Sequence, residues 1–187
     1  NATRLVFDCR ERLARAIGCA DSSRVAFTLN ATHALNVAIQ GLARPGGVAL
    51  VSPVEHNSVM RPLAALATRA GLRVELLPAG ADGRVEPGAI RVPDGACLAV
   101  VAHESNVNGV IQPIAGIKRR LGGVPLVVDA AQSAGEIPID ADASGSDAVA
   151  LSGHKHLLGP TGVGALFVRE GLALPPLVQG GTGRRSD

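Results

Sequence analysis

The sequence has no tryptophan and no tyrosine, only three phenylalanines, and only two lysines, Lys118 and Lys155, among its 187 residues. Charge is sparse as well. Charged residues make up 18% and the net charge is +2, too little to argue for a nucleic-acid or membrane-surface partner. No apolar run approaches the ~18 residues that a membrane span needs, and no secretory leader is visible. Cysteine occurs three times, as Cys9, Cys19 and Cys97. An odd number at irregular spacing suggests neither a disulfide framework nor a zinc site, and a reducing cytoplasm is the expected compartment.

What is present is a composition 47% hydrophobic with 23 glycines and 12 prolines. That suits one sizeable globular α/β domain with its own core and gives no sign of disorder. The chain begins without Met, inside a helical pattern with Leu5, Cys9, Leu13, Ala16 and Ile17 on one face, and it ends at the polar "GGTGRRSD". It is expected to be a segment of a longer protein, missing parts at both ends.

Short apolar runs alternate with helical patterns. Strands are predicted at 24–29, 48–53, 73–78, 97–102, 125–130, 147–152 and 164–169, most of them continuously apolar, as strands buried on both faces of a parallel sheet are. Helices are predicted at 31–43, 57–70 and about 114–121. The series is βαβ and implies an open α/β sheet with ligands at the carboxyl ends of the strands. Only a short loop, 153–163, joins the last two strands. No crossover helix fits there, so the final strand should run antiparallel to its neighbours.

Polar residues collect after these strands. "TLNATHALN" puts Ala31 and Thr32 at a helix start, where free N–H groups and the helix dipole favour a phosphate; an ordinary cap by Thr28 or Asn30 would explain the same residues. "SPVEHNS" supplies His56, and "HESNVNG" supplies Asn106 and Asn108, which turn chemistry alone could account for. "LVVDAAQS" ends a strand on Asp129, with Gln132 three residues on. A carboxylate after four apolar residues is expected to be buried and to need a cationic or hydrogen-bonding partner. "LSGHKHLLGPTGVG" brings Ser152, His154 and Lys155. A partly desolvated lysine loses its proton readily and can form a Schiff base with a carbonyl. Pyridoxal 5'-phosphate needs such a lysine, an acid for its ring nitrogen, a helix N-terminus for its phosphate and a flat side chain over its ring. Lys155, Asp129, Ala31–Thr32 and His56 offer one of each. A zinc reading of "HKH" ranks last: His154 and His156 alternate on an expected strand end, with no cysteine or carboxylate nearby to complete four ligands.

The run "VVDAAQSAGEIPID…DAVALSGHKHLLGPTGVGALFV" resembles the core of class V aminotransferase-fold enzymes, specifically cysteine desulfurases and selenocysteine lyases. "NATHALNVAI", "SPVEHNS" and "SNVNGVIQPI" match that family in order and spacing, so the resemblance covers nearly the whole chain. It implies an α/β three-layer sandwich with a mostly parallel seven-stranded sheet, the large domain of the fold type I pyridoxal-phosphate enzymes, spanning 1–187. Lys155 would then bind the cofactor's aldehyde and Asp129 would pair with the ring nitrogen. His56 would stack on the ring and relay protons, and Asn106 and Gln132 would reach the phenolic oxygen or its surroundings. Ala31, Thr32, Ser152 and His154 would hold the phosphate, with Thr182 contributing to a neighbouring subunit's phosphate site, since the family forms homodimers. The implied substrate is L-cysteine or L-selenocysteine, with sulfur passing to an enzyme cysteine and, in some cases, on to an acceptor protein. The family's attacking cysteine and carboxylate-gripping arginine lie downstream, in a small domain that this chain lacks, and Cys9, Cys19 and Cys97 do not match the nucleophile. Cys97 reads as core. Two rival readings stand beside this one: another class V enzyme, such as an aminotransferase or β-lyase, and a truncated cofactor-binding fragment without activity.

Overall fold

The computed structural model describes residues 1–180. Among them seven strands form one sheet: β1 (Val25–Thr28), β2 (Val48–Val51), β3 (Arg73–Leu76), β4 (Ala96–Ala102), β5 (Leu126–Asp129), β6 (Ala148–Ser152) and β7 (Gly164–Val168). Their spatial order is β1-β7-β6-β5-β4-β2-β3. All neighbouring pairs are parallel except those of β7, which runs antiparallel to both β6 and β1. The sheet expected from the sequence is therefore present, with the last strand antiparallel. That strand is not at an edge, however: it is inserted between β1 and β6.

Helices α1 (Ala2–Ala16), α2 (Ala31–Leu42), α3 (Asn57–Ala70), α4 (Ile114–Leu121) and the short α5 (Ala141–Ser144) complete the fold. The strand residues alternate between two cores. One face packs Leu50, Val101, Val128, Leu151 and Phe167 under α1, α4 and α5 through Ile17, Ile117, Leu121 and Ala141. The other packs Val51, Leu98, Val100, Val127 and Ala150 under α2 and α3 through Leu35, Ile39, Val59 and Leu63. This period-2 division gives three layers. It also explains the uninterrupted apolar runs of β2, β4, β5 and β6, whose residues are nearly all buried. β3 is an edge strand and is only half covered.

The amphipathic face expected for α1 is corrected. Leu5 is 71% and Phe7 52% exposed, and Cys9 is exposed too, whereas Ala14 and Ile17 enter the core. Only the last turn of the helix lies against the sheet, and its first two turns meet no core among the described residues. α5 and two short 3₁₀ turns at Ser22–Arg24 and Pro87–Ala89 are too brief to leave a periodic signal.

Two glycines let the chain close around the carboxyl ends of the strands. A Cβ on Gly164 would lie 2.6 Å from Asn30 Cα and from the Leu151 carbonyl oxygen, so only glycine lets β7 start against the N-terminus of α2. Gly135 (φ 96°) would place a Cβ 2.5 Å from the His156 carbonyl oxygen. The turn after β5 thus touches the loop that carries Lys155.

Candidate active site

The carboxyl ends of β4, β5 and β6 and the starts of α2 and α3 surround a cavity of about 310 Å³, within the range of small-molecule sites. It brings together nine of the residues singled out from the sequence: Ala31, Thr32, His56, Asn106, Asp129, Gln132, Ser152, His154 and Lys155. Asn108 is not among them. Its amide instead donates to the Asp82 carbonyl (2.8 Å). Thr182 lies outside the described residues.

Each side chain is placed by local chemistry. The Asn30 side chain caps α2 by accepting from the His33 N–H at 2.9 Å. The N–H groups of Ala31 and Thr32 have no carbonyl one turn back within the helix, and they form the positive end of its dipole. His56 is the N-cap of α3, and its Nδ1 accepts from the Ser58 N–H at 3.1 Å. The Ser58 hydroxyl lies 2.8 Å from the same nitrogen. With Nδ1 accepting, Nε2 carries the ring proton of the neutral form.

Asp129 ends β5 and is 6% exposed. Its Oδ1 accepts from the Ala131 N–H at 2.9 Å. Burial pushes its carboxyl up, opposed by the Ala131 N–H, the charges of Lys155 and His56, and the Ser58 hydroxyl. Among the described residues no cation lies within ion-pair distance of it, and no carboxylate lies within that distance of Lys155. A buried acid and a lysine thus line one cavity without pairing, which is costly unless a third group satisfies both.

The Lys155 loop is a series of turns, so the expected extended strand end for "HKH" is corrected. The Gly159 N–H donates to the Gly153 carbonyl (2.7 Å) and the Leu158 N–H to the Lys155 carbonyl (2.9 Å). His154 Nδ1 stands 3.4 Å from the Ser152 hydroxyl. His156 turns the other way. Its Nδ1 lies 2.5 Å from the Gln132 carbonyl oxygen and 2.7 Å from the Glu136 carboxylate, both acceptors, so this nitrogen is protonated. A carboxylate does lie beside His156, contrary to expectation; among the described residues, though, no group of three or more potential ligands gathers to hold a metal.

Sequence reading missed three cavity neighbours. Ser58 links the cap of α3 to Asp129, and Glu104 lines the cavity with a buried, unpartnered Oε2. Glu55, beside His56, reaches Ser52 and the Ala102 N–H. A serine two residues past a capping histidine was a legible signal for the first. The two glutamates lie in loops whose path no periodicity reveals. Of the three cysteines, Cys19 and Cys97 are buried and Cys9 is exposed. None lines the cavity, and Cys97 is core, as expected.

A three-layer α/β domain with its polar cluster at the carboxyl ends of parallel strands belongs to the class of α/β domains that bind ligands at that end. Within that class the family is definite: the model for "Aminotransferase class-V" matches residues 1–186, and the chain belongs to this family. It is 34% identical over 183 residues to the cysteine desulfurase IscS of Dictyoglomus turgidum, a match covering 94% of this chain and 46% of that one. Among solved structures it is similar to DndA from Streptomyces lividans (TM-score 0.85, 34% identity, 96% of this chain and 54% of that one). It is likewise similar to SspA, solved in complex with cysteine (TM-score 0.83, 34% identity, 92% and 52%). The chain spans about half the length of the curated relatives it matches.

Proposed function

We propose that residues 1–187 form the pyridoxal-phosphate-binding large domain of a cysteine desulfurase that converts L-cysteine to L-alanine and passes the sulfur to an enzyme cysteine, with L-selenocysteine as a second possible substrate class. The observation that carries this reading is the unpaired lysine and buried carboxyl lining one cavity with a helix N-terminus. The residues fit the cofactor. Asp129 lacks a cation that a protonated ring nitrogen would supply, and the N–H groups of Ala31 and Thr32 lack an acceptor that a phosphate would supply.

When bound, the cofactor provides an electron sink for the carbanion left at the substrate's α-carbon. Lys155 Nζ would hold the cofactor's aldehyde end and would serve as the base that takes the substrate's α-proton and returns it. Asp129 would keep the ring-nitrogen proton in place. His56, with Nδ1 committed to Ser58, would cover the cofactor ring and offer Nε2 for proton exchange. Ser152 and His154 would join the α2 N-terminus in holding the phosphate, and the amides of Asn106 and Gln132 would serve the phenolic oxygen. The attacking thiol and the cation for the substrate carboxylate come from the remainder of the full-length protein, because no described thiol lines the cavity. The protein is proposed to act as a cytoplasmic homodimer in sulfur metabolism, handing sulfur to an acceptor protein. Among the described residues no helix is long and apolar enough to cross a membrane.

The test is a sulfide and alanine assay on the full-length protein beside residues 1–187 alone. With a thiol reductant present to release the persulfide sulfur as sulfide, stoichiometric sulfide and alanine from the full-length protein, with none at a useful rate from the segment, is expected. Comparable turnover by the segment would make Cys9, Cys19 or Cys97 the nucleophile and contradict the division of labour.

A further inference from the structure

Strand β2 stops at Val51, opposite Val100, while β4 continues two residues further to Ala102. The Ala102 N–H therefore has no strand partner on that side, although it lies beside Asp129 in the register with β5. The Glu55 side chain fills the gap. Its Oε1 accepts from the Ala102 N–H at 2.7 Å and from the Ser52 hydroxyl, while its Oε2 is buried without a partner.

We propose that Glu55 is a positioning residue for the reaction proposed above: its carboxyl plugs the gap where β2 falls short of β4 and so fixes where the next residue, His56, enters the site. The proposal rests on that functional reading for its catalytic consequence, but not for its geometry. Both donors converge on one oxygen, which leaves Oε2 as the place for a proton. An unpartnered buried oxygen would carry charge at high cost. Burial pushes the Glu55 carboxyl up to about 8, and the negative Asp129 adds to the rise, against the bonds from Ser52 and Ala102. A neutral plug also leaves Asp129 as the acid that meets the ring nitrogen, with no second charge competing behind it.

The test compares Glu55→Gln with Glu55→Ala in the full-length protein. Gln reproduces the shape and the acceptor of a protonated Glu, whereas Ala removes the plug. E55Q is expected to keep kcat within about 3-fold of the parent. E55A is expected to lose about 10- to 100-fold in kcat, the scale of a misplaced catalytic group, with KM changed less than about 3-fold. In the cofactor-free protein, amide exchange across residues 52–60 should accelerate in E55A and not in E55Q. Parent-like kcat and exchange in E55A would overturn the proposal, as would an E55Q as damaged as E55A. Should E55A fail to fold, E55Q decides alone by the same two readouts. If the parent shows no visible cofactor band, the desulfurase reading falls instead, and exchange across 52–60 still judges the plug.

Discussion

The sheet carries an aspartate and a lysine at each end, and the two pairs are treated differently. Where the strands begin, Asp147 precedes β6 and is fully buried. It accepts from the Leu126 N–H (2.8 Å), from Arg169 Nε (2.7 Å) and from Lys118 Nζ (2.7 Å). Lys118 is further committed to the Gly122 and Val124 carbonyls. Where the strands end, Asp129 has a single backbone donor at hydrogen-bonding distance from Ala131, and Lys155 has no carboxylate partner among the described residues. Both aspartates follow from the same sequence habit, an acid beside an apolar strand. One is saturated by its own chain and can only stabilise. The other is left without a cation in a cavity, and it is the one proposed to bind and react.

Mutation should separate these roles. The largest effect expected is on stability at the saturated end. Asp147→Ala leaves Lys118 without its acid and the Leu126 N–H without an acceptor, and it should cost about 3–5 kcal/mol, seen as a melting temperature lower by on the order of 10 °C. Sulfide release per folded molecule should hardly change. Asp129→Asn should invert this pattern. The Ala131 N–H keeps an oxygen acceptor, so stability should move by less than about 1 kcal/mol, while turnover should fall by about 10²- to 10³-fold, as when a preorganised charge is removed. If D129N unfolds, or keeps full activity, the two ends are not distinct in the way described.

A smaller effect sharpens the comparison through pH. The Glu55 carboxyl has an ordinary value of about 4.5 when exposed and about 8 in the folded protein. Between these values the folded state holds a proton that the unfolded state has released, so its contribution to stability falls as pH rises and levels off above about 8. The cofactor-free parent should therefore lose more stability than E55Q from pH 5 to pH 8, by on the order of 1 kcal/mol per pH unit. Parallel denaturation curves for the two proteins across this range would mean that Glu55 is ionised throughout.

Legibility in the sequence followed the physics. Buried strands leave uninterrupted apolar runs, which most of the seven show; β1 and β3, only partly covered, were legible from β-rich residues instead. All seven lie within a residue or two of their expected ends, and the short 153–163 loop gave away the antiparallel β7. Its insertion between β1 and β6 was not legible, because pairing partners distant in sequence leave no local pattern. The α1 face was misjudged for a related reason: helical spacing says which residues align, not how much of the helix meets a core. Cavity residues at strand ends were found because polar residues interrupt apolar runs there. Glu55 and Glu104 were missed because a glutamate in a polar loop looks solvated until the fold encloses it. The sequence pointed to Lys155 by its place after an apolar strand, but not to why Lys118 is unavailable, since only the structure shows Asp147 reaching it.

That difference also gives the most direct test. The full-length protein, incubated with pyridoxal phosphate and reduced with borohydride, should lose its visible absorbance band and carry the cofactor's mass on the peptide containing Lys155, with the Lys118 peptide unmodified. A label on Lys118, or no label on either lysine, would contradict the assignment of the unpaired end of the sheet as the active site.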